Sequence, residues 1–159
     1  MIFVTVGSQK FQFNRLLIYL DNLVEKHMIQ EEVFAQIGYS DYQPRHFAYK
    51  DFLDREEFNQ IMSKSQIVIT HGGTSAIISA VKAGKKVIAV PRLSKYGEHV
   101  DNHQEQIINR FISSQLIIGV NQLEEIENAL KKCSSFALKT YHSNTKAIID
   151  SIDKFISVN

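Results

Sequence analysis

The sequence has little of what several classes of protein require. Its single cysteine, Cys133, excludes an internal disulfide framework and a cysteine-rich zinc site, and it suits a reducing compartment. No apolar run approaches the roughly 20 residues of a membrane-spanning helix, and the first residues lack the basic and long apolar segments of a signal peptide. The net charge of +1, with scattered lysine and arginine, gives no sign of nucleic-acid binding. We therefore expect a soluble cytoplasmic protein that binds no nucleic acid.

Familiar cofactor and metal motifs are absent as well. There is neither a GxGxxG fingerprint nor a Walker lysine motif. No HExxH or comparable ligand spacing occurs, so we expect no metal and no cofactor. What the chain does have is 159 residues, of which 44% are hydrophobic. That is enough for one compact domain with a substantial core, spanning residues 1–159.

Short β-branched runs alternate with helical patterns along the chain. We predict strands over 2–6, 32–37, 45–49, 66–70, 86–90 and 116–120. Helices are predicted over 13–24, 54–64, 75–83 and 101–113, in a fifth segment capped by Asn121, and in a last apolar-striped segment over 141–156. Asp54, with Glu57 three residues later, predicts a capping box. This order predicts an α/β fold: a single Rossmann-like domain whose mainly parallel sheet has helices on both faces.

The strongest functional pattern follows the strand at 66–70. There a glycine turn leads directly into a helix, through His71, Gly72, Gly73, Thr74, Ser75 and Ala76. Free backbone N–H groups and the positive end of the helix dipole then meet at one point, which favours phosphate binding. The alternative is a structural turn that keeps strand and helix close, with His71 as an ordinary loop residue.

Two other loops follow strands and should open into the same crevice, at the carboxyl ends of the strands. Gly7 and Ser8 follow the first strand and could approach a phosphate, or Ser8 could simply cap the next helix. The loop from Arg92 to Gln104 is rich in polar groups that suit sugar hydroxyls. Its alternative interpretation is a solvated loop in which Asp101 or Asn102 caps the following helix.

Three segments together resemble a known family. MIFVTVGS, HGGTSAIISAVKAGKKVIAVPR and GEHVDNHQEQI are similar to the C-terminal, donor-binding half of family 28 glycosyltransferases of the GT-B fold. The closer resemblance is to the short PssE-like subunits of two-component exopolysaccharide and capsule glycosyltransferases, and to their eukaryotic counterparts in lipid-linked oligosaccharide synthesis. The segments, in order, cover nearly the whole chain. The resemblance implies an inverting hexosyltransferase whose donor substrate is a UDP-sugar.

The resemblance also implies roles for individual residues. Gly7 and Ser8 would lie on one side of the diphosphate, with His71, Gly72, Gly73 and the Thr74–Ala76 turn on the other. The loop at Phe52 and Leu53 would face the uracil. Asn102, His103 and Gln104 would contact the sugar or ribose. Where family members carry a ribose-binding glutamate, this chain has Ser79, so Glu98 or Asp101 would have to substitute.

A sugar transfer also needs a general base, and 159 residues leave no room for a second Rossmann-like domain to supply it. His71 is the candidate base within this chain, but we expect the base on a partner. The resemblance implies a membrane-anchored glycosyltransferase subunit that binds a lipid-linked saccharide acceptor and recruits this chain to the inner face of the membrane. The isolated chain could self-associate as a homo-oligomer through its exposed interdomain face.

Two competing hypotheses belong to other classes of protein. In one, the chain is a non-catalytic accessory subunit that stabilises or stimulates a partner glycosyltransferase, which Ser79 would suit. In the other, it is an unrelated Rossmann-like binder of some other phosphate ligand, such as a nicotinamide dinucleotide. The missing GxGxxG motif, and the missing acidic residue about 20 positions beyond it, weigh against the second hypothesis.

Overall fold

The computed structural model describes residues 1–135 together with 139 and 141. Its centre is a six-stranded sheet in the order β3-β2-β1-β4-β5-β6, and every pair of neighbouring strands is parallel. The strands are β1 (Ile2–Thr5), β2 (Val33–Gln36), β3 (Ala48–Lys50), β4 (Ile67–His71), β5 (Lys86–Val90) and β6 (Ile118–Gly119). The order reverses between β1 and β4, which places the topological switch point there. The predicted parallel Rossmann-like sheet is confirmed.

Five α-helices cover the two faces of the sheet. They are α1 (Asn14–Glu25), α2 (Arg55–Lys64), α3 (Thr74–Lys82), α4 (His103–Ser113) and α5 (Ile126–Ser135). Helices α1 and α5 pack on one face, whereas α2, α3 and α4 pack on the other. Helix α2 begins at the predicted capping box, in which Asp54 accepts from the Glu57 amide and Glu57 accepts from the Asp54 amide.

Side chains of the central strands alternate between two apolar cores. In β1, Ile2 and Val4 point toward α1, whereas Phe3 points to the core that contains α3 and α4. Because both faces are covered by helices, each strand is apolar on both sides, which explains the continuous β-branched runs in the sequence. Cys133 is buried in α5 against the first core, as a packing residue.

The boundaries differ from prediction in three places. The strand predicted over 45–49 forms only at Ala48–Lys50, and the one predicted over 116–120 only at Ile118–Gly119. The prediction that Asn121 caps the fifth helix is wrong. Its backbone amide instead donates to Glu125 (3.2 Å), and a 3-10 turn at Leu123–Glu125 leads into α5. The last predicted helix, with Thr145, Ile148, Ile149, Ile152, Phe155 and Ile156, lies outside the described residues.

Across the part of the chain that the structure describes, no helix combines the length and the apolar character needed to cross a bilayer.

Candidate functional site

A cleft of about 510 Å³ opens at the carboxyl ends of β1 and β4, at the switch point of the sheet. Loops that are far apart in sequence meet there, as the strand order predicts. Its lining comes from five segments: β1 with the turn after it, the end of β2, α2, the end of β4 with α3, and the loop after β5 with α4. The lining residues are Thr5, Gly7, Ser8, Gln9, Gln36, Phe58, His71, Gly72, Gly73, Thr74, Ser75, Ala76, Ser79, His99, His103, Gln104 and Ile107.

The first wall of the cleft is the turn after β1. Gly7 has a left-handed backbone conformation (φ +82°), and a Cβ there would lie 2.6 Å from the His71 ring, so both the conformation and the close approach require glycine. Within the described part of the chain, the amides of Gly7, Ser8 and Gln9 donate to no acceptor. Ser8 does not cap α1, which begins only at Asn14. The turn therefore presents unused donors to the cleft.

The second wall is the turn between β4 and α3. The first intrahelical hydrogen bond of α3 runs from the Ile77 amide to the Gly73 carbonyl (3.1 Å). The amides of Thr74, Ser75 and Ala76 therefore remain without partners at the positive end of the helix. These three residues line the same cleft as Gly7, Ser8 and Gln9, so both sets of free amides belong to its walls. Two sets of free N–H groups facing one cleft suit an anion with two charged groups.

His71 lies between the two turns. Its ring packs so closely against Gly7 and Gly73 that a Cβ at either glycine would overlap it. The side chain is buried, and its Nδ1 lies 3.4 Å from the Thr70 hydroxyl, which donates to the Thr5 carbonyl. Burial, and then the positive charge of Arg92, lower the pKa of His71 to about 4. The imidazole is therefore neutral at pH 7 and can form hydrogen bonds, but its low pKa makes it a weak general base.

Gln104 joins the second turn to the loop after β5. Its Oε1 accepts from the backbone amides of Gly72 and Arg92, at 3.0 Å each. The residue is buried in the first turn of α4, and it lines the cleft. The predicted sugar-binding glutamine thus has its carbonyl oxygen committed to the fold. Only its Nε2, which donates to no acceptor in the described residues, stays available to a ligand.

Glu98 does not reach the cleft, which corrects the prediction that it binds substrate. Its carboxylate is fully buried and holds Arg15 through both oxygens, at 2.8 and 2.9 Å. The same carboxylate also accepts from the Leu93 amide at 2.9 Å. With these acceptor sites occupied and no exposure to solvent, Glu98 ties the loop after β5 to Arg15 of α1.

Asn102 is also outside the lining of the cleft. Its Oδ1 accepts from both the amide and the hydroxyl of Ser94 (2.9 and 3.0 Å), so it fastens the loop after β5. Asn102 is the N-cap residue of α4, but its side chain makes no capping hydrogen bond; the Asp101 carboxylate instead accepts from the His103 amide at 2.9 Å. His103 itself is exposed and lines the cleft. Asp101 and Asn102 thus follow the capping alternative.

Sequence reasoning missed part of the lining. Gln36 ends β2 inside the cleft and accepts from the Leu53 amide through its Oε1 (3.2 Å). A polar residue that ends an otherwise apolar strand was the signal that could have found it. Phe58 and Ile107 supply apolar surface from α2 and α4, and nothing in their helical pattern separates them from core residues. Phe52, predicted to face uracil, lies outside the lining and packs against the Tyr39 ring (5.1 Å).

The charge in and around the cleft is unusual for an anion site. None of its lining residues is a lysine, an arginine or a carboxylate. Among the described residues, no group of three or more histidine, cysteine and acidic side chains is placed to hold a metal ion. The available positive potential comes from the α3 dipole, the free amides and the buried Arg92 guanidinium behind His71. Such a site can stabilise a bound anion through backbone and helix dipoles that the fold holds in place.

Comparisons with known proteins agree with this geometry. The family model "Glycosyltransferase family 28 C-terminal domain" matches residues 1–157. The UDP-N-acetylglucosamine transferase subunit ALG13 of Kluyveromyces lactis is 33% identical over 73 residues, which are 45% of this chain and 35% of that protein. The chain thus matches about a third of the length of that relative.

Solved structures share the fold at low sequence identity. MurG of Acinetobacter baumannii has a TM-score of 0.62 at 16% identity, over 95% of this chain and 49% of that one. CalG4, the calicheamicin glycosyltransferase, has a TM-score of 0.60 at 16% identity, over 84% of this chain and 33% of that one. The kitacinnamycin glycotransferase has a TM-score of 0.63 at 13% identity, over 84% of this chain and 34% of that one. The predicted likeness to half of a GT-B fold is confirmed.

Proposed function

The chain belongs to glycosyltransferase family 28, whose C-terminal domain it matches over residues 1–157, and from that premise we propose that it is the donor-binding subunit of a two-component glycosyltransferase. Its substrate is a UDP-sugar, and the reaction is an inverting hexosyl transfer. The observation that carries this proposal is the pair of amide-rich turns that face each other across one cleft, with neutral His71 between them.

The diphosphate lies between these turns in the proposal. The free amides of Gly7 and Ser8 bind it on one side, and those of Thr74, Ser75 and Ala76 bind it on the other. As the sugar departs, negative charge grows on the diphosphate, and these donors are already oriented toward it. Gly72 and Gly73 allow this approach, and the Nε2 atoms of His71 and Gln104 face the same space.

The sugar and nucleoside occupy the two ends of the cleft in this proposal. His103 and the Gln104 amide contact the sugar hydroxyls, while the loop from Leu53, held by Gln36, borders the nucleoside. Ser79 lines the cleft at the position where other family members have a ribose-binding glutamate. Its short side chain leaves that contact to another group.

A partner subunit completes the enzyme. No carboxylate is among the described residues that line the cleft, and His71, with its low pKa, is a poor base at pH 7, so the acceptor hydroxyl needs a base from elsewhere. The chain also spans only a third to a half of the solved glycosyltransferases that share its fold. We infer a membrane-anchored glycosyltransferase partner that binds a lipid-linked saccharide acceptor at the cytoplasmic face of the membrane. The product would enter an extracellular or capsular polysaccharide.

Ser79 favours one second candidate function. A subunit that had lost its ribose contact could act as a non-catalytic accessory that stabilises or stimulates the partner glycosyltransferase without binding donor. The retained Gly7 and His71–Ser75 turns argue for the donor site, because an accessory subunit has no need of them.

Isothermal titration calorimetry tests the proposal. The purified chain is titrated with UDP, UDP-galactose, UDP-glucuronic acid, UDP-N-acetylglucosamine and NAD. We expect saturable binding of the UDP compounds and none of NAD, and we expect sugar transfer only when the partner subunit is added. Binding of NAD but not UDP would contradict the proposal. Absence of UDP binding both alone and with the partner would establish the accessory function instead.

A further inference from the structure

Arg92 is the largest fully buried side chain of the described residues, and it lies outside the lining of the cleft. Its Nη2 donates to the Val6 carbonyl (2.6 Å) and to the Phe11 carbonyl (3.0 Å). These two carbonyls stand immediately before and shortly after the Gly7–Lys10 turn. One guanidinium nitrogen thus holds both ends of the turn that forms the first wall of the cleft.

The backbone of Arg92 reaches the second wall. Its amide donates to Gln104 Oε1 at 3.0 Å, and the same oxygen accepts from the Gly72 amide at 3.0 Å. Among the described residues, Arg92 therefore connects the Gly7 turn through its side chain and the Gly72 turn through its main chain. Arg92, which follows β5 by two positions, thus adds a link between the two turns beyond the pairing of β1 with β4 and the His71 ring that lies between them.

Packing alone does not account for an arginine in this place. Its Nε and Nη1 are buried without a hydrogen-bond partner, and the Phe13 ring lies 5.5 Å from its Cζ. Burial lowers the pKa of the guanidinium to about 10, although Glu98 acts in the opposite direction, so the group is charged at neutral pH. A buried, incompletely paired charge is costly, and an apolar side chain of similar volume often serves stability as well or better. A function other than stability would explain its presence.

We propose that Arg92 is a positioning residue that sets the distance between the two anion-binding turns, and this inference rests on the proposed donor site. It does not touch the donor. It orients the Gly7, Ser8 and Gln9 amides toward the Thr74–Ala76 turn, and its buried charge adds positive potential behind His71. Without it, the first wall would lose its fixed orientation while the sheet and the second wall remain.

The test compares Arg92→Met and Arg92→Lys with the control Asp21→Asn. Asp21, in α1, is likewise a buried charged group that accepts hydrogen bonds from loop backbone. It does not line the cleft. Three quantities are measured in each variant: the UDP dissociation constant, the thermal midpoint, and the backbone amide NMR shifts of residues 7–10 without ligand. The NMR measurement reports on the Gly7–Lys10 turn whether or not UDP binds.

We expect Arg92→Met to weaken UDP binding about tenfold or more, because misplacement of binding groups by fractions of an ångström is costly. The amide shifts of residues 7–10 should also move in Arg92→Met. Arg92→Lys should restore part of the affinity and part of the shifts, because a lysine ammonium can reach one of the two carbonyls, of Val6 or of Phe11. Asp21→Asn should lower the thermal midpoint and leave affinity within about twofold.

Unmoved amide shifts at residues 7–10 in Arg92→Met would overturn the inference. If Arg92→Met does not fold, Arg92→Gln, which removes the charge and shortens the side chain, takes its place, and unmoved shifts in that variant would overturn the inference equally. So would equal losses of affinity in Asp21→Asn and the Arg92 variants. If the wild-type chain binds no UDP compound even with its partner, the proposed function fails, and the NMR shifts still decide whether Arg92 positions the turn.

Discussion

The side-chain oxygen of Gln104 lies 3.0 Å from the backbone nitrogen of Gly72, a residue 32 positions earlier in the chain. This bond fixes the glycine turn of the candidate donor site to the start of α4. A residue that we predicted from its motif to contact sugar is thereby also part of the scaffold of the phosphate site. Substitutions in this region should therefore change more than one property.

Gln104→Ala should reduce both stability and UDP affinity. The change leaves the buried amides of Gly72 and Arg92 without an acceptor, which costs about 1–3 kcal/mol for each group that stays unsatisfied. Urea denaturation measures the first effect and calorimetry the second. Gln104→Glu is the matched control: it keeps the acceptor and most of the stability, but its negative charge should still weaken diphosphate binding. Wild-type UDP affinity in Gln104→Ala would contradict this role.

Gly73→Ala should impair donor binding more than folding. The backbone at Gly73 has φ −74°, which alanine adopts readily, but the new Cβ would overlap the His71 ring. The ring or the turn must move, and we expect roughly a tenfold loss of UDP affinity in calorimetry.

Gly84→Ala is the opposite control for that variant. Gly84 has φ +70° with open space around it, so the substitution should cost about 1–2 kcal/mol of stability without altering affinity. If both variants lose stability and UDP affinity in the same proportion, the close contact between Gly73 and the His71 ring has no particular role in donor binding.

Stability should fall as the pH drops from 6.5 toward 4, and His71 should cause part of that fall. Its pKa is about 4 in the folded state and 6.5 as the ordinary value, so the unfolded chain takes up a proton that the folded chain does not. The unfolding free energy therefore rises with pH between these values, by up to about 3 kcal/mol in total. Chemical denaturation at several pH values should show a shallower dependence for His71→Gln. An unchanged dependence would show that the imidazole is not buried in its neutral form.

Asp21→Asn should destabilise the protein by about 1–3 kcal/mol and leave donor binding intact. The buried carboxylate accepts from the Tyr42 hydroxyl (2.7 Å) and from the Arg45 and His46 amides, the latter at 2.8 Å. An amide NH₂ would face some of these donors and cannot accept from them.

The Tyr42 hydroxyl offers a direct measurement of that network. Its hydrogen bond to Asp21 raises the pKa of Tyr42 to about 12. In Asp21→Asn, ultraviolet titration should therefore show one tyrosine that ionises nearer to the ordinary value of 10. Tyr42→Phe, which removes the hydroxyl, identifies the transition; a tyrosine titration identical to wild type in Asp21→Asn would contradict the assignment.

Local patterns were sufficient for most of the fold. The β-branched runs and helical spacings predicted the order of strands and helices, since apolar periodicity reflects which faces a segment must bury. They did not predict the bounds of the strands Ala48–Lys50 and Ile118–Gly119. These short strands lie at the sheet edges and bury few side chains, so their apolar pattern is weak. Gly7 and the His71–Ala76 segment predicted the candidate donor site, because strand, glycine turn and helix start are consecutive in sequence.

The sequence by itself determined the parallel α/β sheet, the two glycine turns at its switch point and the family to which the chain belongs. Only the tertiary structure decided which polar side chains serve the fold. Glu98 is committed to Arg15, 83 positions away, and Arg92 is committed to Val6, 86 positions away. Partners at such separations depend on how strands are ordered in the sheet, and no local periodicity encodes them.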